Sequence, residues 1–496
     1  MERRQFLKGL ATGAGLSAVV SFWPALLKAV EQEKPNIVWL DAEDLSPDLG
    51  CYGNPYVKTP NLDRLAREGA LFTNAFVTAP VCSPSRSAIA TGMYQTTIGA
   101  HHHRSHRNDG YKLPDGIKLF THYLREAGYF TCNGTALHPD RRGKLDYNFD
   151  MPFEKAFDGT DWSQRKPGQP FFAEIHFNET HREFTPDPEN PIDPDKIEIP
   201  PYYPDHPITR LDWSLYLEMV QVLDKKVGKV LQRLEDEGLA ENTVVFFTGD
   251  HGRPMVRGKQ WLYDSGIHIP LIVRWPGKIK PGTVRNDLVS SIDLVPTWLK
   301  IAGIELPSYL QGRDLFSPHT SERKYIFAAR DRCDETDDRI RCVRSKRFKY
   351  IRNFYPEKPY LQFNAYKHRQ YPVLTLMKVL HKQGKLDDIQ ERLMAPHRPV
   401  EELYDLQNDP YEIHNLAKDP AYQDVLKEMR QALDHWICET GDKGQIPEDP
   451  DVATYWDNYI RERDEQTQKK RGTFGLSDEA YLKWWEKKLK EKKGIK

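Results

Sequence analysis

Short runs in which nearly every residue is apolar recur along this chain, and sequence of helical period fills the spaces between them. The clearest are Asn36-Ile37-Val38-Trp39-Leu40, the stretch from Pro170 to Phe177, Thr243-Val244-Val245-Phe246-Phe247-Thr248 and Pro270-Leu271-Ile272-Val273-Arg274-Trp275. A strand apolar on both faces is a buried one, of the kind found in parallel sheets covered by helices. Asn61 to Glu68, Ile117 to Ala127 and Asp293 to Ala302 read as helices. From Leu211 to Glu237, residues Leu215, Met219, Leu223, Val227, Val230, Leu231 and Leu234 form one stripe of a long amphipathic helix, which Gly238 stops. Strands alternating with helices predict an α/β protein built on a largely parallel sheet.

At 496 residues the chain is too long for one core. From about Glu322 its texture changes. Lys324 to Ala329 and the basic stretch Ile340 to Arg352 are strand-like, and Ala421 to Glu439 reads as a helix. We expect a catalytic domain over residues 31–320 and a smaller α+β domain over 321–446. A charged extension over 447–496 ends in a helix carrying Trp484 and Trp485. With 71 Lys plus Arg against 72 Asp plus Glu, the chain lacks the one-sided charge of a nucleic-acid or membrane-surface binder, and no nucleic-acid partner is expected. A neutral total still permits a local basic pocket for an anionic substrate.

The six cysteines show no CxxC pairing, which argues against a zinc site, and they are too few for a disulfide scaffold. Cys333 and Cys342 could bridge in an oxidising compartment. Residues 1–30 read as a targeting segment: Glu2-Arg3-Arg4-Gln5-Phe6-Leu7-Lys8 resembles a twin-arginine export signal, and an apolar stretch runs from Gly9 to about Ala29. Its implied partner is the twin-arginine export machinery, its destination the periplasm or the exterior, with a retained anchor as the alternative. No later segment is apolar enough to span a bilayer.

Two acidic clusters sit just beyond buried strands: Asp41-Ala42-Glu43-Asp44 after Leu40, and Asp250-His251-Gly252 after Thr248. Ligands of open α/β sheets bind at the carboxyl ends of strands, so both clusters face one crevice if the strands are parallel neighbours. Carboxylate oxygens suit a hard cation such as Ca²⁺ or Mg²⁺. The plainer reading is that such residues cap the turns after strands. Cys82 lies in Cys82-Ser83-Pro84-Ser85-Arg86, a turn opening a short helix with Arg86 one turn along to stabilise an anion.

Cys-x-Pro-Ser-Arg followed by a small-residue helix ending Thr91-Gly92 resembles the signature of type I sulfatases, whose cysteine is converted to formylglycine (3-oxoalanine). The resemblance spans most of the chain in family order. It implies an alkaline-phosphatase-like α/β/α sandwich with a smaller C-terminal α+β domain. It also implies a formylglycine-generating maturation enzyme as a partner. The segment Glu43 to Gly53 matches the family's first metal segment, with Glu43 where an Asp is usual, and Asp250-His251 matches the second. The metal set so implied is Glu43, Asp44, Cys82, Asp250 and His251, holding Ca²⁺ with Mg²⁺ as the alternative. Gly143-Lys144-Leu145-Asp146 resembles the segment of a sulfate-binding lysine, with Asp146 where a His is typical. The stretch from Gly258 to Gly266 makes Lys259 the second such lysine. The segment from His176 to Arg182 makes His181 the contact to the leaving group. Catalysis is thereby assigned to Cys82, Arg86, Lys144, His181 and Lys259.

The His181-Arg182 segment, Phe247 to Pro254 and Trp436 to Thr440 resemble N-sulfoglucosamine sulfohydrolases and their bacterial relatives, which implies a sulfated carbohydrate substrate. His102, His103 and Arg104, with Arg107 close behind, are candidates to reach the sugar, as are Arg182 and His268. The alternatives are a phosphonate monoester hydrolase or phosphodiesterase of the same superfamily, and an inactive glycan-binding pseudosulfatase.

Overall fold

The computed structural model describes residues 34–106, 109–318 and 321–495. The expected export signal and Arg107 lie outside the described residues. The strands are β1 (Asn36–Ala42), β2 (Ala70–Phe76), β3 (Phe130–Thr135), β4 (His138–Arg142), β5 (Phe171–Phe177), β6 (Thr243–Gly249), β7 (His268–Arg274), β8 (Thr283–Arg285) and β9 (Val289–Ser290). They form one sheet in the order β4-β3-β5-β1-β6-β7-β2-β8, with β9 beside β2. β3, β5, β1 and β6 are parallel neighbours, and β7 runs antiparallel to both β6 and β2.

Side chains of β1 alternate between two apolar cores: Val38 and Leu40 enter one, Ile37 and Trp39 the other. Two helices cover the first face, α1 (Pro60–Glu68) with Leu62 and Leu65, and the long helix Pro207–Asp236 with Leu215, Leu223 and Val227. On the second face lie α2 (Cys82–Thr91), α3 (Phe120–Glu126) and the helix Leu294–Ile301. Taking Pro207–Asp236 as α4 and Leu294–Ile301 as α5, the architecture is an α/β/α sandwich. Trp298 of α5 is fully buried, with its ring 5.0–5.1 Å from those of Trp39, Phe120 and Phe172. Burying an aliphatic or aromatic side chain in this way contributes about 1.5–3 kcal/mol. α4 starts at Pro207, whose missing N–H is not needed there, and the chain turns at Gly238 with φ 68°.

A second sheet, antiparallel, runs β10 (Ile326–Arg330), β11 (Ile340–Arg344), β12 (Phe348–Asn353) and β13 (Glu401–Asp405). The strand-like stretch Ile340 to Arg352 is thus two paired strands with a turn at Ser345 to Arg347. Between β12 and β13 the chain leaves this sheet through α6 (Ala365–Gln370) and α7 (Pro372–Lys382). Leu374, Leu376 and Met377 of α7 join the core beside α4. α8 (Gln423–Glu439) covers the small sheet with Leu426, Met429, Leu433 and Trp436. The extension contains α9 (Pro450–Arg471) and α10 (Asp478–Lys493), whose Leu489 enters the core of the large sheet. Cys333 and Cys342 do not bridge: both are buried free thiols. Among the described residues no helix is long and apolar enough to cross a membrane.

β1, β5 and β6 end together. Ala42 stands in register with Phe177 on one side and Gly249 on the other. The segments that follow them, Glu43-Asp44, Asn178 to His181 and Asp250-His251, therefore emerge at one edge of the sheet.

Candidate active site

Cys82 is the first residue of α2, buried at that same edge. Its Sγ lies 3.3 Å from His251 Nε2 and 3.3 Å from Lys259 Nζ. α2 can enter the interior because Ser83, Ser85, Ser87, Ala88 and Ala90 are small, and every residue in it is buried. One ligand atom each from Asp44, Cys82, Asp250 and His251 lies within 4.8 Å of the other three. His251 Nδ1–H donates to the Gly252 carbonyl at 2.9 Å, which fixes the ring with Nε2 facing this group. The backbone that makes this bond is tightly packed: a Cβ on Gly252 would stand 2.3 Å from the Ser265 carbonyl oxygen. Asp250 Oδ2 is buried without a hydrogen-bond partner and stands 3.3 Å from Arg86 Nε. Buried carboxylate oxygens and an aimed imidazole nitrogen are donors that fit a divalent cation. Glu43 does not share this group; its carboxylate belongs to an adjoining one with Asp44 and His181.

Three cations surround the cluster. Lys259 Nζ donates to both Asp44 oxygens, at 2.9 and 3.0 Å. Burial opposes ionisation of Asp44, but the Lys259 ammonium and the His251 ring hold its carboxyl well below the usual range. Lys144 Nζ sits 2.6 Å from Glu43 and 3.4 Å from Asp146. Burial would likewise raise Glu43, and Lys144 with His176 outweighs it, so this carboxyl also stays ionised. Arg86 is sunk deepest, with Nη2 2.5 Å from Asp41 and Nη1 3.5 Å from Glu174. Asp146, standing where the resemblance places a histidine, is 3.5 Å from Arg104 as well as 3.4 Å from Lys144. It lies between two cations.

Beneath these residues lies a layer of Asp41, Glu174 and His176, to which the motifs assigned no role of their own. His176 Nδ1 is 3.3 Å from Asp41 and its Nε2 3.1 Å from Glu43. Burial pulls the ring down, yet hydrogen bonds to Asp41 and Glu43 push it up to about 9. Glu174 is raised to about 8, by burial first and by Asp41 second. A signal was present, since Asp41 and Glu174 are charges inside strands whose every residue is buried.

A cavity of about 210 Å³ opens over Cys82. His103, Arg104, His181 and Lys259 line it, together with Gln260, Asp334, Tyr366, Arg369, Ile460 and Arg463, which motif reading did not single out. Tyr366 and Arg369 come from α6, Ile460 and Arg463 from α9, and no local pattern links those helices to Cys82. His181 Nδ1–H donates to the Arg182 carbonyl at 2.7 Å, leaving Nε2 3.5 Å from the Tyr366 hydroxyl and 4.0 Å from Glu43. Six non-glycine residues among those described have positive φ. Five are here: Asp44 (50°), Arg104 (63°), Asp146 (50°), Gln260 (73°) and Asp334 (52°). Left-handed backbone costs such residues about 1–3 kcal/mol each, so surrounding packing holds the site in a conformation local preference does not favour.

Three of the expected sugar contacts are not brought to the cavity. Arg182 is buried, with its guanidinium paired to Asp212 through two bonds of 2.7 Å and bonded to the carbonyls of Pro254 and Gln370. All its donors are directed at protein. His268, at the start of β7, stacks on Phe76 and donates from Nε2 to the Thr73 carbonyl at 2.9 Å. It lines a separate cavity beside Asp264 and Arg344. His102 turns its Nδ1 to the Arg332 amide at 3.2 Å. His103 does reach the cavity, oriented by Asp334 at 3.1 Å.

Residues 35–304 match the family model for sulfatases, and residues 249–396 match that for the C-terminal region of N-sulphoglucosamine sulphohydrolase. Over 475 residues the chain is 37% identical to an ulvan-active sulfatase of Formosa agariphila, spanning 86% of this chain and 78% of that protein. It is 28% identical over 469 residues to the N-sulphoglucosamine sulphohydrolase of Homo sapiens, spanning 82% of this chain and 90% of that one. A solved structure in complex with D-glucosamine-2-N,6-O-disulfate, named as its substrate, superposes with a TM-score of 0.60 at 18% identity. It covers 84% of this chain and 100% of that one. At that identity the likeness speaks to fold, and the fold it bears out is the alkaline-phosphatase-like sandwich expected from the sequence. A family model spanning more than half of the chain, and a relative this similar over most of its length, agree with the geometry around Cys82: this protein belongs to the sulfatase family.

Proposed function

We propose that this protein removes sulfate, as an ester or an N-sulfate, from a sulfated carbohydrate, using a formylglycine made from Cys82 and a bound divalent cation. One observation carries the reading. Cys82, Asp44, Asp250 and His251 bring their ligand atoms within 4.8 Å of one another at the sheet edge, with Arg86, Lys144 and Lys259 around them. Asp44, Asp250, His251 and position 82 would hold the ion, while Glu43, paired with Lys144 and His176, stands beside Asp44. Calcium suits such a donor set, and magnesium is the alternative.

When present, the cation and the oxidised Cys82 together supply a nucleophile that is ionised at neutral pH. The other residues act on the substrate. Lys259, Lys144 and Arg86 place positive charge around the oxygens of the transferring sulfuryl group. Arg86 is locked by Asp41, so little reorganisation is needed as charge develops. His181, oriented by the Arg182 carbonyl, aims Nε2 into the cavity, and in its imidazolium form passes the Nε2 proton to the departing oxygen or nitrogen, leaving the neutral ring. Asp41, Glu174 and His176 hold Arg86 and Glu43 in place. A complete set of charged groups supports an active enzyme over an inactive glycan binder.

The carbohydrate assignment draws on what the relatives are named for, ulvan and N-sulphoglucosamine. Glu2 to Lys8 support export by the twin-arginine route, to the periplasm or beyond. That route carries folded protein, which lets a maturation enzyme act on Cys82 beforehand. The test is a panel of O- and N-sulfated mono- and oligosaccharides plus a phosphonate monoester, assayed with protein made with and without that enzyme. Sulfate release should require maturation, and mass spectrometry of the Cys82 peptide should show aldehyde in place of thiol. Turnover confined to the phosphonate ester, or an active preparation bearing only thiol at position 82, would overturn the reading.

A further inference from the structure

α9 contributes Ile460 and Arg463 to the lining of the Cys82 cavity. The helix is pinned on its inner side. Asp464 is buried and accepts from Arg369 at 2.9 Å, and Trp456 is 6% exposed. Most cations around the opening are already compensated: Arg104 by Asp146 at 3.5 Å, Lys259 by Asp44 at 2.9 Å, Arg369 by Asp464 at 2.9 Å. On the helix itself, Arg461 pairs with Asp457 at 2.9 Å. Arg463 is exposed and, among the described residues, has no ion pair.

Tyr455, Tyr459 and Arg463 are spaced i, i+4, i+8 and so share one stripe of α9, rising about 6 Å from each to the next. Tyr455 is 52% exposed and Tyr459 42% exposed, an unusual investment of aromatic surface in water on an otherwise charged helix. Their rings are near-parallel, with centroids 6.2 Å apart and planes 9° apart. Trp456 packs against both at right angles, at 5.4 and 5.7 Å, and its buried ring links the pair to the body of the protein. Half-exposed tyrosine rings suit contact with the apolar C–H groups of sugar rings, and the exposed Arg463 guanidinium at the cavity end of the stripe suits a carboxylate or a second sulfate.

We infer that the Tyr455-Tyr459-Arg463 stripe of α9 is a distal binding track for an anionic oligosaccharide, which leads from the cavity outward. The terminal sulfated unit occupies the cavity, Arg463 takes an anionic group on the unit behind it, and the tyrosines carry the units beyond. This rests on the carbohydrate reading above and deepens it: the substrate is a chain of several units with recurring negative charge.

The test compares the matured full-length enzyme with its Tyr455→Ala/Tyr459→Ala variant on two ladders, ulvan and heparin oligosaccharides from disaccharide to octasaccharide. For the double variant KM should rise about tenfold on octasaccharides, with kcat and the disaccharide KM unchanged. Arg463→Gln should flatten the dependence of KM on ionic strength that the unsubstituted enzyme shows. Equal changes on short and long substrates, or none on either, would overturn the inference while leaving the sulfatase reading intact. So would a variant whose oligomeric state changes in size-exclusion chromatography with KM unmoved, since the tyrosines would then cover a second copy. If the unsubstituted enzyme is active on sulfated monosaccharides but releases no sulfate from either ladder, this inference fails while the carbohydrate reading stands.

Discussion

His181 shows how one backbone carbonyl can assign a role. Because the Arg182 carbonyl accepts from Nδ1, only Nε2 is left to exchange a proton with substrate. Replacing it, His181→Ala, should lower kcat on the order of 10²–10⁴-fold for sugar sulfates, whose departing alkoxide needs a proton. It should cost far less for an aryl sulfate, whose phenolate leaves unaided; steady-state kinetics on both substrates checks this. The next residue behaves differently. Arg182→Met strands Asp212 in the interior, and losing one partner of a buried pair costs about 3–5 kcal/mol, so the melting temperature should fall while KM is spared. Lys367 carries a pH effect. It is buried near the Trp261 ring with its ammonium lowered to about 7 from a free lysine's 10.5, by burial first and Arg330 second. Between those values the unfolded chain binds the extra proton, so stability rises with pH from about 7 towards 10.5. Lys367→Met should remove that slope from a series of denaturation curves and raise stability at neutral pH. None of these roles could be assigned from a residue type alone. The motifs placed His181, but Arg182 became structural only once Asp212, Pro254 and Gln370 were seen around it.

Among the elements, those with a strong apolar pattern were legible in advance. β1, β5, β6, β7 and α4 lie within a few residues of where their apolar runs and stripes put them, because a buried face leaves its period in the sequence. α9 was not legible as a helix: of its 22 residues only Trp456 and Asp464 are buried, so it has no stripe to read. Ile340 to Arg352 looked like one strand because a tight hairpin interrupts the apolar and β-branched pattern only at Ser345 to Arg347. Between elements, the turn after β6 is the most exacting. Gly252→Ala would drive a Cβ to 2.3 Å from the Ser265 oxygen, and the backbone must shift. The Gly252 carbonyl orients His251, so calcium affinity should weaken about 10–100-fold in a titration, more than the loss of stability alone would give.

At the scale of the molecule, the site is a junction of distant segments: the ends of β1, β5 and β6, the start of α2, and α6 and α9 from the last third of the chain. A cation that binds only the folded junction must stabilise the whole. Chelation should therefore lower the melting temperature, and restoring calcium to a hundred times Kd should return about 2.7 kcal/mol of stability, read by scanning fluorimetry or calorimetry. The sequence by itself determined the α/β class and the apolar strands, and its resemblance to a family pointed to Cys82, Arg86, Asp44, Asp250, His251, Lys144, Lys259 and His181. Local periodicity and contiguous motifs survive in one dimension. What only the tertiary structure decided was which charges meet. Arg86 with Asp41 and Glu174, Arg182 turned inward to Asp212, His268 turned aside to Thr73, and Arg463 brought over Cys82 all join residues far apart in the chain. Which buried charges pair depends on distances of a few ångströms in the folded state, and no spacing along the chain encodes those distances.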